Sequence, residues 1–277
     1  MKKKQRKILI AAGVITVALA IIFTVFFVRS RHAKTEYGVY LSETYDELPK
    51  KLSCETLVID AQNYSAKEIA KLKESNGNVI SYLNIGSIEN FRSYFGKYKS
   101  LILGPYENWD EEYWVNVADH KWQDFIIKDL AGKLEEKGVD GFFIDNADVY
   151  YNYPDSEIYG GITRILKALK SKNFLVYING GDKYVSKYLK EQGNLDEILD
   201  GVNQESVFTS INWEDETFSK NDSDTKQYYL DYLSAVANDG KQVFLLEYTK
   251  DSKLAAEAKA AARKMGYTIY VAKSLEL

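Results

Sequence analysis

Three observations predict a (β/α)8 barrel. Eight short apolar runs alternate along the chain with segments whose apolar residues fall three and four apart. The stretch from Thr35 onward, 277 residues less the first 34, is close to the usual size of one such domain. No Gly-rich phosphate loop follows the first run, as a dinucleotide-binding open sheet would require. Repeated strand–helix units imply parallel strands covered by helices. Eight units at this length favour a closed barrel over an open doubly wound sheet.

In chain order the predicted strands are Tyr37–Leu41, Thr56–Ala61, Asn78–Ile85, Gly141–Asp145, Phe174–Asn179, Gly201–Glu205, Gln242–Tyr248 and Tyr267–Ala272. Between them, Trp122, Phe125, Ile126, Leu130 and Leu134 form one helical stripe. Ile162, Ile165, Leu166 and Leu169 form another. Gly138 and Gly266 stand where a helix C-cap is expected, the latter after an Ala- and Lys-rich segment near Lys253–Lys264. Gly180 and Gly181 read as a turn. The only cysteine, Cys54, excludes an intramolecular disulfide, so the fold must rest on its core.

Residues 1–34 differ from the rest. Lys2, Lys3, Lys4, Arg6 and Lys7 precede 21 consecutive uncharged residues, Ile8 to Val28, and Arg29, Arg31 and Lys34 follow. At about 1.5 Å per residue such a helix crosses a hydrocarbon core of about 30 Å. The run is longer than the ~7–15 residues of a signal-peptide apolar region, and Arg29-Ser-Arg31 is a poor cleavage site. The expected arrangement is one N-terminal transmembrane helix with a cytoplasmic tip, leaving residues 35–277 as a monomeric extracellular domain on the cell membrane. Eight of the 36 Lys and Arg lie in the first 34 residues, leaving 28 against 40 acidic residues, a net charge of −12. That balance disfavours a nucleic-acid partner and suits a neutral or cationic one.

In such barrels the chemistry sits at the C-terminal strand ends. Here the second strand delivers Asp60, the fourth Asp145, the sixth Glu205 and the seventh Glu247, while the third and fifth deliver Asn84 and Asn179. An acid closing an apolar strand is costly to bury unless it is hydrogen-bonded or used. Asp145 and Glu205 each come four residues after a strand-opening glycine, and alternation aims them, with Phe143 and Asn203, into the barrel. Alternate strands share interior layers, so Asp60, Asp145 and Glu205 are expected at one mouth. Two carboxyl groups in different protonation states are what glycoside hydrolysis needs. His32 and His120 complete no Ser-His-Asp or Cys-His set, and no cluster has zinc-ligand spacing, so no metal or cofactor is expected.

At these residues the chain resembles the endo-α-1,4-polygalactosaminidases of glycoside hydrolase family 114 and their spherulin-like and Pel-polysaccharide hydrolase relatives. The matching segments are Val79–Gly86 with Glu89, Arg92, Tyr94 and Phe95, then Gly138–Tyr150, Tyr177–Gly180 and Asn203–Phe208. The resemblance implies Asp145 and Glu205 as the catalytic pair, acting on polymers of galactosamine or N-acetylgalactosamine. By analogy with barrel α-glycosidases, Asp145 is the expected nucleophile or charge stabiliser and Glu205 the general acid/base. Asp60, Asn84, Asn179 and Glu247 are expected sugar-hydroxyl binders, with Tyr82, Asp148 and Tyr150 at the same mouth. Arg92 is expected to pair with a neighbouring acid and brace its loop. One or two of Tyr40, Tyr82, Trp109, Trp114 and Trp213 are expected to stack on sugar faces. The competing readings are a polysaccharide-binding surface barrel without turnover and a cell-wall scaffold with no open acidic cleft.

Overall fold

All eight predicted strands form. The computed structural model describes residues 35–107 and 109–277. The strands are β1 Thr35–Tyr40, β2 Cys54–Ile59, β3 Asn78–Asn84, β4 Gly141–Asp145, β5 Leu175–Asn179, β6 Gly201–Glu205, β7 Gln242–Tyr248 and β8 Thr268–Ala272. They join in one sheet in sequence order, with parallel pairing from β2 through β8. At the seam between β8 and β1, Tyr270 packs against Tyr37 and Tyr40. There the backbone N–H groups of Leu41 and Ser42 donate to the carbonyl of the last residue, Leu277. The expected membrane span, Ile8–Val28, lies outside the described residues, and among the described residues no helix is long and apolar enough to cross a membrane.

The barrel has two apolar layers, as period-2 alternation demands. Tyr37, Val39, Val58, Ile80, Phe143, Tyr177 and Phe244 fill its interior. Alternate residues such as Phe142, Ile144, Val176, Ile178 and Val202 face outward into a larger cluster shared with the helices. Those helices include α1 Ala66–Ser75, α2 Ala131–Lys137, α3 Ser156–Ser171, α4 Asp182–Gln192, α5 Ser223–Asn238 and α6 Ser252–Met265. A reciprocal Ser65–Glu68 capping box starts α1, and left-handed Gly138 and Gly266 end α2 and α6 at the expected positions. The stripe from Trp122 to Leu134 is buried as expected. It runs through a short helix at His120–Asp124, a π-helical Phe125–Leu130 and α2.

Two excursions leave the sheet at its C-terminal end. After β3, strands Ser87–Glu89, Ile102–Pro105 and Glu112–Val115 form a small antiparallel sheet. After β6, Thr209–Asn212 and Thr217–Lys220 form a hairpin. With three or four residues each, these strands carry too little alternation to be read from sequence.

The glycines that open β4 and β6 are there for want of space. A Cβ on Gly141 would stand 2.2 Å from the Leu175 carbonyl oxygen, and one on Gly201 would stand 2.6 Å from that of Gln242. Contacts that short force the neighbouring strand to move. Gly141→Ala is therefore expected to lower stability by about 1–3 kcal/mol in urea unfolding. The strain falls on the strand that carries Asp145.

Candidate active site

The strand ends open onto a cavity of about 1130 Å³ whose wall includes Asp60, Tyr82, Asp145, Asp148, Asn179 and Glu205. A cavity of this size at the C-terminal face is where a barrel of this kind places its chemistry.

One side chain organises the centre. Asn179, at the end of β5, lies between β4 and β6, and its Nδ2 donates to Asp145 Oδ1 at 3.0 Å and to Glu205 Oε1 at 2.8 Å. Bonds of that length to one nitrogen hold the two carboxylate oxygens no more than about 6 Å apart. The other Glu205 oxygen, Oε2, accepts from the Tyr248 hydroxyl at 2.6 Å. Both acids end their strands at sharp turns, since Asn146 (φ 61°) and Ser206 (φ 55°) adopt left-handed backbone that non-glycine residues seldom take.

The cavity wall is electrically one-sided. Asp60, Glu89, Asp110, Glu111, Glu112, Asp145, Asp148, Asp182 and Glu205 line it, and among the described residues Arg92 is its one cation. Lost hydration, with the charges of Glu112 and Glu205, pushes the Asp145 carboxyl from 3.8 up to about 8, although Asn179 and Tyr82 offset part of the rise. Burial likewise raises Asp148 to about 7, and it raises Glu112. At neutral pH the Asp145 carboxyl therefore favours its protonated form.

Other expected contacts take different roles. Asn84 is buried, and its amide donates to Ser87 Oγ at 2.6 Å and to Glu112 Oε1 at 2.9 Å while Ser87 N donates back to it at 3.0 Å. It holds the root of the β3 excursion and does not line the cavity. Glu247 is fully buried, and its carboxylate accepts from the backbone N–H groups of Val207, Phe208 and Thr209 and from the Thr209 hydroxyl. It ties down the β6 loop, away from the cavity. Tyr150 packs among Tyr159 and Tyr184 on the helical side. Asp60 does reach the cavity wall, but one of its oxygens pairs with Arg92 Nη1 at 2.8 Å and the other accepts from Gln62 N at 3.1 Å. Arg92 braces its loop as expected, reaching Glu89 at 3.0 Å as well.

Of the five aromatic candidates, Tyr82, Trp109 and Trp213 line the cavity. The two indoles, 47% and 43% exposed, come from different excursions and meet edge-on at 6.0 Å. Trp114 is buried and stacks on Tyr106, and Tyr40 packs on Tyr270. The sequence reading missed Glu112, whose Oε1 accepts from Ser87 Oγ, Asn84 and Asn146 beside Asp145. It also missed Tyr248 as a partner of Glu205. Alternation along β7 was the available signal for Tyr248, because it sits at a strand end facing the same mouth.

The Asp145 pKa makes a stability prediction with a definite sign. The native state holds that proton up to about pH 8, whereas an unfolded chain releases it near the ordinary 3.8. Wild-type stability thus falls as pH rises through this window. Asp145→Asn has nothing to ionise there, so its stability relative to wild type should grow from about pH 5 to about pH 8 in urea unfolding. A difference that stays flat with pH would mean that Asp145 titrates like an exposed acid.

The chain resembles several known proteins. It is 24% identical over 211 residues to an uncharacterized protein of Thermotoga maritima, a match covering 69% of this chain. The match spans 62% of that relative's length. The fold is similar to the glycoside hydrolase domain of PelA from Pseudomonas aeruginosa, with a TM-score of 0.69 at 16% identity, covering 88% of this chain and 96% of that one. It is also similar to Aspergillus fumigatus Ega3, solved in complex with galactosamine, with a TM-score of 0.68 at 18% identity over 86% and 91% of the two chains. At these identities both structures bear on fold alone. The family model of glycoside-hydrolase family GH114 matches residues 28–277, and the chain belongs to that family.

Proposed function

We propose that this barrel hydrolyses an α-linked polymer of galactosamine and N-acetylgalactosamine, with Asp145 as nucleophile and Glu205 as general acid/base. The observation that carries the reading is the single Asn179 amide nitrogen bonded to both carboxylates. It brings one oxygen of each acid to a spacing compatible with the about 5–5.5 Å that retaining glycosidases use. In the first step Asp145 attacks the anomeric carbon and the glycosidic C–O bond breaks, with the Glu205 proton passing to the leaving oxygen. In the second, Glu205 takes a proton from water, whose oxygen displaces Asp145 from the sugar.

The proton must leave Asp145 before that attack, and the charge of the substrate supplies a reason for it to do so. An ammonium group on a deacetylated sugar, bound nearer to Asp145 than to Glu205, favours ionised Asp145 and leaves the shared proton on Glu205. The acidic wall supports a cationic ligand of this kind, and Ega3 was solved with galactosamine. The basic start and the uncharged run Ile8–Val28 support an anchored, extracytoplasmic placement of the domain.

Asp145→Asn and Glu205→Gln should each abolish reducing-end release from partly deacetylated polygalactosamine while remaining folded. Proton NMR of the wild-type reaction should show the α-anomer first. Full activity in either variant removes the assignment, and polymer binding without turnover in the wild type would mean a binding protein.

The pH profiles provide a separate check. The alkaline limb of kcat/KM reports the free enzyme and should fall near pH 8, where the pair loses its shared proton. For a deacetylated polymer the alkaline limb of kcat should lie lower, because a bound cation favours the ionised carboxyls. For a fully acetylated polymer the two limbs should coincide.

A further inference from the structure

The Asn179 amide can do its work in only one orientation. Its nitrogen carries two hydrogens, and both are used, one on each carboxylate. Turned over, its carbonyl oxygen would face two acidic oxygens instead. Repulsion prevents that while both acids are ionised, but a protonated acid can donate to a carbonyl and would welcome the turn. In a double displacement the proton leaves Glu205 and returns, so the pair passes through a protonated form in every cycle.

A buried relay behind Asn179 removes that freedom. Asn203, two residues before Glu205 on β6, donates from Nδ2 to Asn179 Oδ1 at 2.7 Å. Turning Asn203 over would break the bond that its Oδ1 accepts from the Tyr37 hydroxyl at 3.1 Å and leave that hydroxyl hydrogen without this acceptor. Tyr37 on β1 is held in turn, its ring 4.8 Å from Phe244 in the packed interior. Asn203 is 0% exposed and Tyr37 1%, so neither can touch a substrate.

We propose that Asn203, fixed by Tyr37, is a positioning residue that keeps the Asn179 amide nitrogen on the Asp145–Glu205 pair throughout the catalytic cycle. This rests on the reading above for its catalytic meaning, though not for its effect on the carboxyls. With the lock gone the amide turns, the pair loses a donor, and each acid holds its proton more tightly.

The test uses the full chain carrying Asn203→Leu or Tyr37→Phe. Carbon-13 NMR titration without substrate should place the Asp145 carboxyl midpoint higher in Asn203→Leu by about one pH unit, and by less in Tyr37→Phe. On partly deacetylated polygalactosamine kcat should fall about tenfold in Asn203→Leu, with KM within about twofold of wild type. A purely structural role would change the melting temperature and leave the Asp145 midpoint where it was, and that result in a folded variant overturns the proposal. If Asn203→Leu does not fold, Tyr37→Phe, which only loses a hydroxyl, decides by the same titration. A wild-type protein that cleaves no galactosamine polymer sinks the function while the titration still judges the lock.

Discussion

Two carboxyl groups brought close together at the mouth of an apolar barrel repel each other and lose water, and each effect alone disfavours their charged forms. The architecture depends on how that cost is met. Asn179 meets part of it by giving one hydrogen to each acid. Tyr248 gives a third bond to Glu205, and Tyr82 supports Asp145. What remains unmet appears as the raised proton affinity of Asp145. Further donors on Asp145 would lower its proton affinity and leave the pair less able to divide proton donation from attack.

The neighbouring acids show the contrast. Glu247 is likewise buried and pushed up to about 7 by lost hydration, but three backbone N–H groups and a hydroxyl converge on it. Its bonds go to the loop that follows Glu205, so it secures the backbone on which the second carboxylate stands. Asp60 is neutralised by Arg92, which also holds Glu89 and so pins the β3 excursion to the end of β2. Both acids spend their oxygens on protein. Asp145 and Glu205 share a donor with each other, and they are the pair whose charge state is left open to a ligand.

Most of the barrel was legible in the sequence, because parallel strands covered by helices on one side and packed on the other write themselves as short apolar runs between turn residues. Gly138 and Gly266 were readable as helix ends because only a left-handed residue suits that position. Strand-end acids pointed to Asp145 and Glu205 for a physical reason, the cost of placing them there. The same reasoning could not separate Glu247 or Asn84 from them, since a strand-end polar residue looks alike whether its partner is a sugar or a loop. That distinction lies in the excursions, whose short strands lack periodicity, and Glu112 was hidden for the same reason. Tyr150 failed differently. It follows Asp145 closely in sequence, but the turn at Asn146 and the helix start at Val149 carry it round to the helical layer.

The acidic wall and the protonated Asp145 meet in one cavity. Nine carboxyl side chains around one cation attract positive charge, and lost hydration, reinforced by the charges of Glu112 and Glu205, holds a proton on Asp145. Under the proposed reading these are not in conflict. A neutral sugar would enter a cleft whose Asp145 stays protonated, whereas a cationic sugar would bind more strongly and ionise Asp145 by its presence. Substrate charge would then act twice, once in recruitment and once in arming the nucleophile. Selectivity for the deacetylated polymer would arise from the acid–base chemistry itself, with no pocket needed to measure the acetyl group.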